Sequence, residues 1–273
     1  MAALVLSIGV AMGLASPAPA APPAAAAAEA LARGDARHSE FDYDAARREY
    51  EQAVALEPGG YDARARLAHV LNDLGGERPA AARPLFEEAL RLSDALVRDA
   101  PERAEGHYWR AASLANLMTF RSGPEKVKAS REIEAAALRA TELDPCLAPA
   151  YAALAITYRE LAGVGGLVRA LASAALGGLP RGSMEDAEGL LRAAVALDPR
   201  DPFARYELAR TLETRGRREE AIAELERSLG LPDREARDRR NRVEATARLA
   251  RLRAAGTANG AGERRARRGV EDP

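Results

Sequence analysis

Cysteine is almost absent: Cys146 is the only one in 273 residues. A lone thiol excludes an internal disulfide framework and any metal site built from several thiolates. Aromatic residues make up 4% of the chain, and Trp109 is the single tryptophan. Much of the 47% hydrophobic content is alanine, the best helix former and a poor strand residue, which argues against an all-β fold. Neither sign of charge is in excess, with 40 Lys and Arg against 41 Asp and Glu. A general nucleic-acid binder carries a basic excess to neutralise phosphates, so no nucleic acid is expected as a partner. The apolar stretch Ala2–Ala15 falls short of the roughly 20 residues needed to cross a bilayer, so the mature chain is expected to hold no stable membrane span.

Several chemical signatures are missing too. No HxxxH or CxxC pair is present, and His38, His69 and His107 are far apart in sequence, so no metal site is expected. There is no G-x-S-x-G elbow, and neither Gly163–Gly166 nor Gly177–Gly178 continues to Gly-Lys-Ser/Thr. Nucleophilic hydrolysis and phosphate-loop chemistry therefore have no support. The chain reads as a non-enzyme that needs no cofactor. Cys146, next to Pro145, reads as a turn residue, and Trp109 as packing between helix layers.

What is present begins with the N-terminus. After Ala2–Ala15 come Pro17, Ala18, Pro19 and Ala20, an ending that fits a secretory signal cleaved after Ala20. No Lys or Arg precedes the apolar stretch, so two readings stay open. One is an export signal, with the mature chain periplasmic or secreted. The other is an Ala/Pro leader on a cytoplasmic chain. Residues 21–28 read as an Ala/Pro linker.

The body repeats itself. A small or branched residue, a bulky residue or Ala four on, Ala or Ser seven on, and Pro near twelve on recur five times. The sets are Ala46-Tyr50-Ala53-Pro58, Ala82-Phe86-Ala89, Ile133-Ala137-Ala140-Pro145, Ala187-Leu191-Ala194-Pro199 and Ala221-Leu225-Ser228-Pro232. Spacings of four and three place these side chains on one helix face, where small residues admit a close neighbour. Proline then ends the helix. In the second set Asp94 stands where the others have Pro, which predicts a longer helix through Leu96 and Val97. Each unit opens with another amphipathic stretch, such as Tyr151-x2-Leu154-Ala155-x2-Tyr158, with Gly34 in the small-residue place of the first.

These paired patterns resemble the tetratricopeptide repeat. The resemblance implies an all-α superhelix of about five helical hairpins plus a capping helix. The units are read at about 27–60, 61–103, 104–147, 148–201 and 202–235, with the cap over 233–253 and a disordered tail over 255–273. Unit three is given an extra turn or loop around Ser122, Gly123 and Pro124. Unit four holds an insert from Gly163 to Ser183 with a short helix, Leu167 to Leu176, and Ser183 with Asp186 as a capping box. The cap is expected to cover the apolar face of the last unit.

The irregular features narrow the resemblance. Lys126–Glu134 before the unit-three helix, "ALGGLPRGSMEDA" over Ala175–Ala187, and "LGLP" at Leu229–Pro232 followed by Asp238 and Glu244-Ala245 resemble the regulator-of-microtubule-dynamics family, including its bacterial members, over roughly residues 100–253. That family's animal members associate with microtubules. For this chain the resemblance implies the architecture.

The inner face of such a superhelix binds partners. Repeat position places His69, Asn72 and Asp73, Arg159 and Glu160, and Tyr206, Arg210 and Glu213 on it. A protein or peptide segment is the expected occupant, with Arg159 and Arg210 pairing with its carboxylates and Tyr206 covering an apolar side chain. On that reading, reversing both arginines to Glu abolishes binding and leaves helicity intact. The alternative is a small-molecule-binding or transport-accessory protein whose insert closes a pocket beneath Leu167 and Val168. Oligomeric state is not legible.

Overall fold

The computed structural model describes the backbone of residues 23–268 and the side chains through Ala255. The expected cleavage point after Ala20 lies outside the described residues. Five antiparallel hairpins follow in chain order. They are α1 (Pro23–Ser39) with α2 (Tyr43–Leu56), α3 (Tyr61–Glu77) with α4 (Ala82–Asp99), and α5 (Ala104–Asn116) with α6 (Gly123–Leu143). The fourth pairs α7 (Ala148–Ala162) with α9 (Met184–Leu197) and carries α8 (Gly166–Leu176) between them. The fifth pairs α10 (Pro202–Thr214) with α11 (Arg218–Leu229), and α12 (Ala236–Arg268) closes the chain. No strand occurs among the described residues. This is the all-α repeat array that the periodicity predicts.

The pattern residues explain the packing. The first three members of all five sets are buried. Helices α2, α6 and α9 end two residues before Pro58, Pro145 and Pro199, because the residue before proline is held out of the helical region. With Asp94 in place of proline, α4 runs on to Asp99. Gly34 is required where it stands, since a Cβ there would lie 2.4 Å from the Tyr50 ring.

Three boundaries differ from the sequence reading. Residues 23–28, read as linker, form the first turns of α1, and Ala27 is buried. Alanine's helix propensity prevails there once α2 offers a packing face. The extra turn expected around Ser122–Pro124 lies just before it, as a 3-10 turn over Leu117–Phe120, while Gly123 and Pro124 already open α6, with Ser122 and Glu125 forming a capping box and Pro124 in the first turn, where its missing N–H costs nothing. Lys126–Glu134 thus lies inside that helix. The closing helix continues past residue 253 to Arg268, so part of the expected tail is helical.

The insert matches its expected form. The carboxylate of Asp186 accepts from the Ser183 N–H at 3.0 Å, and the Ser183 hydroxyl accepts from the Asp186 N–H at 3.0 Å. Helix α8 rests on α6, and its Arg169 donates to the Leu161 carbonyl on α7 at 2.6 Å.

Helix α12 decides the shape of the concave face. It covers the last hairpin, burying Ala245 and Leu249 against Tyr206, Ala209 and Leu225. Its first residues also reach the start of the chain: the Ala236 N–H donates to the Tyr43 hydroxyl at 2.8 Å, and Arg240 donates to the Gly76 carbonyl at 2.9 Å. The array is therefore closed across its inner face.

Candidate functional site

Closure divides the expected groove in two. On the α10 side the predicted contact residues are committed within the chain. Tyr206 is 1% exposed, and its hydroxyl donates to Glu244 at 2.6 Å. Burial, with Glu244 beside it, pushes that hydroxyl up to about 12. Glu213 pairs with Arg248 at 2.7 Å and Arg251 at 3.0 Å, both on α12. Arg159 is buried and pairs with Glu207 at 2.6 Å, and Arg210 reaches the same carboxylate at 3.2 Å. Arg159 and Tyr206 are therefore buried rather than free on the groove, taken up by an inner-layer carboxylate and the returning helix, whereas the Arg210 side chain remains 31% exposed. Glu160 is exposed and touches Arg159 at 3.4 Å.

On the other side a cavity of about 320 Å³ remains open. Its floor is apolar and comes from α5 and α7, with Trp109, Ala112, Ala153 and Ile156. Helix α3 contributes His69, Asn72, Asp73 and Gly76, and the closing segment contributes Glu235, Arg237 and Arg240, with Phe203 from the start of α10. The predicted trio His69, Asn72 and Asp73 is thus brought together in one wall.

The polar wall is ordered by specific contacts. Asn72 donates to Ala68 at 2.9 Å and to Ser113 at 3.0 Å, and accepts from Asn116 at 2.9 Å, so its amide is occupied. His38 Nε2 lies 2.8 Å from Asp73 Oδ2, His69 Nε2 lies 3.3 Å from the same oxygen, and Glu235 Oε1 is 3.6 Å from His69 Nε2. The other Glu235 oxygen is 2.7 Å from Arg237 Nε, and the Arg237 guanidinium sits 4.0 Å over the Phe203 ring. The His69 ring stacks on Trp109 at 4.3 Å.

These neighbours set the charges. Burial works against a charged His69, yet Asp73 and Glu235 outweigh it and raise its pKa. Burial also works against a charged Glu235, but Arg237 and His69 beside it bring it below the usual carboxylate range. Trp109 Nε1 and His69 Nε2 are buried with no hydrogen-bond partner. Trp109 packs between helix layers with Leu96, Tyr108 and Ala150, as the sequence reading has it, and its indole N–H finds no acceptor among the described residues.

Two imidazoles and a carboxylate that could hold a metal converge here. A search for HxxxH spacing does not see them, since His38 comes from α1. The usable signal is His69-x3-Asp73, one helical turn apart. Phe203, Glu235 and Arg237 carried no signal, because only the return of α12 brings them in.

The insert does not form a lid on this cavity. Leu167, Val168 and Leu171 are 76%, 56% and 62% exposed, and none of them lines it. Cys146 is exposed, and its N–H donates to Asp144 in the turn that ends α6. No helix among the described residues is long and apolar enough to cross a membrane.

The family profile described as "Regulator of microtubule dynamics protein 1-3" matches residues 28–253. No curated protein matches the sequence. Solved structures share the fold. A thermophilic tetratricopeptide protein of Thermus thermophilus superposes with a TM-score of 0.64 at 22% identity, covering 82% of this chain and all of that one. Yeast Tom70 gives 0.54 at 18% identity, over 85% of this chain and 40% of its own. PilF of Pseudomonas aeruginosa gives 0.50 at 15% identity, over 89% and 92%.

Proposed function

We propose that this chain, which belongs to the regulator of microtubule dynamics protein 1-3 family, is a non-enzymatic protein-interaction scaffold that receives a short protein segment in the cavity between α3, α5 and α7. The observation that carries the reading is the cavity itself, an apolar floor beneath a polar wall on the concave face of a tetratricopeptide-like array. Its volume of about 320 Å³ sits at the small end of ligand pockets, which suits one or two anchoring side chains of a longer segment. Ala112, Ala153 and Ile156 would accept an apolar anchor, and the unpartnered Trp109 N–H would donate to a carbonyl of the segment. From α10 only Phe203 lines this contact, the rest of that half of the groove being occupied by α12.

The test places a photo-cross-linking residue at Ile156, inside the cavity, and a control at Leu197, exposed on α9. The Ile156 position should trap a polypeptide from host extract that the Leu197 position does not, and a bulky Ala112→Trp change should suppress it. Absence of any adduct specific to Ile156 would reject the segment reading. A small molecule retained by the purified chain and lost with Ala112→Trp would replace it with the ligand-binding alternative, without the insert as lid. Residence in the periplasm or outside the cell belongs to this proposal and rests on residues 1–20.

A further inference from the structure

We propose that His38, His69 and Asp73, with Glu235 beside them, bind one divalent transition-metal ion of the zinc type. The four residues come from three parts of the chain: the end of α1, one face of α3, and the turn before α12. Donor atoms of the two histidines and Asp73 all lie within 4.8 Å of one another. Around a tetrahedral zinc with bonds of about 2.0–2.2 Å, neighbouring ligand atoms stand roughly 3.3–3.6 Å apart. The observed 3.3 Å from His69 Nε2 to Asp73 Oδ2 and 3.6 Å to Glu235 Oε1 fall on that edge. The 2.8 Å between His38 Nε2 and Asp73 is half an ångström short of it, a gap that a small ring rotation closes.

A histidine hydrogen-bonded to an aspartate accounts for His38 alone. It does not account for a second imidazole nitrogen aimed at the same oxygen. His69 Nε2 is buried, has carboxylate oxygens at 3.3 and 3.6 Å, and makes no hydrogen bond to either. A shared cation satisfies that nitrogen and the Asp73 oxygen together, with Glu235 beside it.

The donors are held in place. His69 is stacked on Trp109 at 4.3 Å, and His38 lies against His69 at 4.5 Å and Tyr43 at 5.0 Å. Arg237 holds one oxygen of Glu235 and leaves the other toward His69. Two imidazoles with carboxylates suit zinc, cobalt, nickel or copper, whereas magnesium and calcium prefer oxygen alone. His69, Asp73 and Glu235 line the cavity, so the ion has a path from solvent. Once bound, it would join the first two hairpins to the segment that starts α12. The site does not depend on what the cavity receives.

The experiment uses the full, tag-free chain stripped with a chelator, titrated with zinc by calorimetry and with cobalt by visible absorption. One equivalent should bind, cobalt should give the intense absorption of a four-coordinate site, and zinc should raise the unfolding temperature. His69→Gln and Asp73→Asn should each weaken zinc binding by at least about 100-fold, at or beyond the upper end of what an outer-shell partner costs. His107→Gln should leave it unchanged, since that ring lies apart and bonds only the Pro101 carbonyl. Absence of saturable binding at about 100 μM zinc, or binding undiminished in both ligand variants, would overturn the site. Should those variants fail to fold, X-ray absorption on the zinc-loaded wild type decides, with a shell lacking imidazole scattering overturning the proposal.

Discussion

Replacing Glu207 with Gln tests how dry the inner helix layer is. Arg159 and Glu207 meet at 2.6 Å between α7 and α10, and each side chain is 5% exposed. The guanidinium then meets only the neutral amide oxygen of the new side chain, the residue-207 carbonyl at 3.3 Å and the Thr211 hydroxyl at 3.4 Å, with Glu160 exposed at 3.4 Å, so no buried charge answers it. Breaking a buried pair from one side costs about 3–5 kcal/mol, because an uncompensated charge stays behind. At roughly 2–4 °C per kcal/mol for a chain of this size, the melting temperature should fall by about 6–20 °C. Urea denaturation at neutral pH reads the free energy directly. The double change Arg159→Met with Glu207→Met should recover most of the loss, since the desolvation cost leaves with the charges. A loss below about 1 kcal/mol for Glu207→Gln, the range of solvated pairs, would refute the burial and the seating of α7 on α10. The same geometry changes what reversing Arg159 and Arg210 to Glu would mean. That variant sets three carboxylates together and should lower stability, so it does not report on the groove alone.

Gly34→Ala should destabilise by about 1–3 kcal/mol in chemical denaturation, although alanine is the better helix former, because its Cβ would press to 2.4 Å from a buried Tyr50 ring. A neutral or stabilising result would mean that α1 does not pack this closely on α2. Acid should loosen the ion pairs around the turn of the last hairpin, of which only those of Glu213 fasten α12. Burial raises the pKa of Glu188 and of Glu213, but the arginines around them prevail and hold both below 4.5. A lowered carboxylate contributes stability above its unfolded pKa and loses it as pH falls through the folded value. The melting temperature followed by circular dichroism should therefore drop below about pH 4.5, and less steeply in Glu213→Gln; a flat profile down to about pH 3 would contradict this. If residues 1–20 direct export, mass spectrometry of chain recovered from the periplasm or medium should find Ala21 first, and a full-length cytoplasmic chain would reject it.

The array was legible because its determinants are local. Ala53 or Ala194 declares a close helix contact within its own hairpin, Pro58 and Pro199 declare the ends, and Ser183 with Asp186 declares a start. All of this chemistry acts within about a dozen residues. The candidate site was only half legible for the opposite reason. Repeat position put His69, Asn72 and Asp73 on the inner face, where they are found. It also put Arg159 and Tyr206 there as free residues, which holds for an open solenoid and fails once α12 returns. A closing helix with Ala245 and Leu249 on one face reads as a cap for its neighbour. Nothing in its own sequence says that its first turn will meet Tyr43, 193 residues away.

That one return alters the physics of the whole array. An open repeat protein is held by nearest-neighbour interfaces, so its ends fray independently and its groove stays continuous. Here Asp238 accepts from the backbone of Arg234 and Glu235 at 2.9 and 3.0 Å and shapes the turn before α12. The turn delivers Glu235 and Arg237 to the wall built by α3 and α5, while Arg248 and Arg251 fasten the same helix to Glu213 on α10. Loosening either end of α12 must therefore disturb both the first hairpins and the last, and the chain should unfold more cooperatively than an open array of five hairpins. The cavity is a product of the same closure. One half of the groove is spent on docking α12, and the other half is narrowed to a pocket whose walls come from hairpins two to five and the closing segment together.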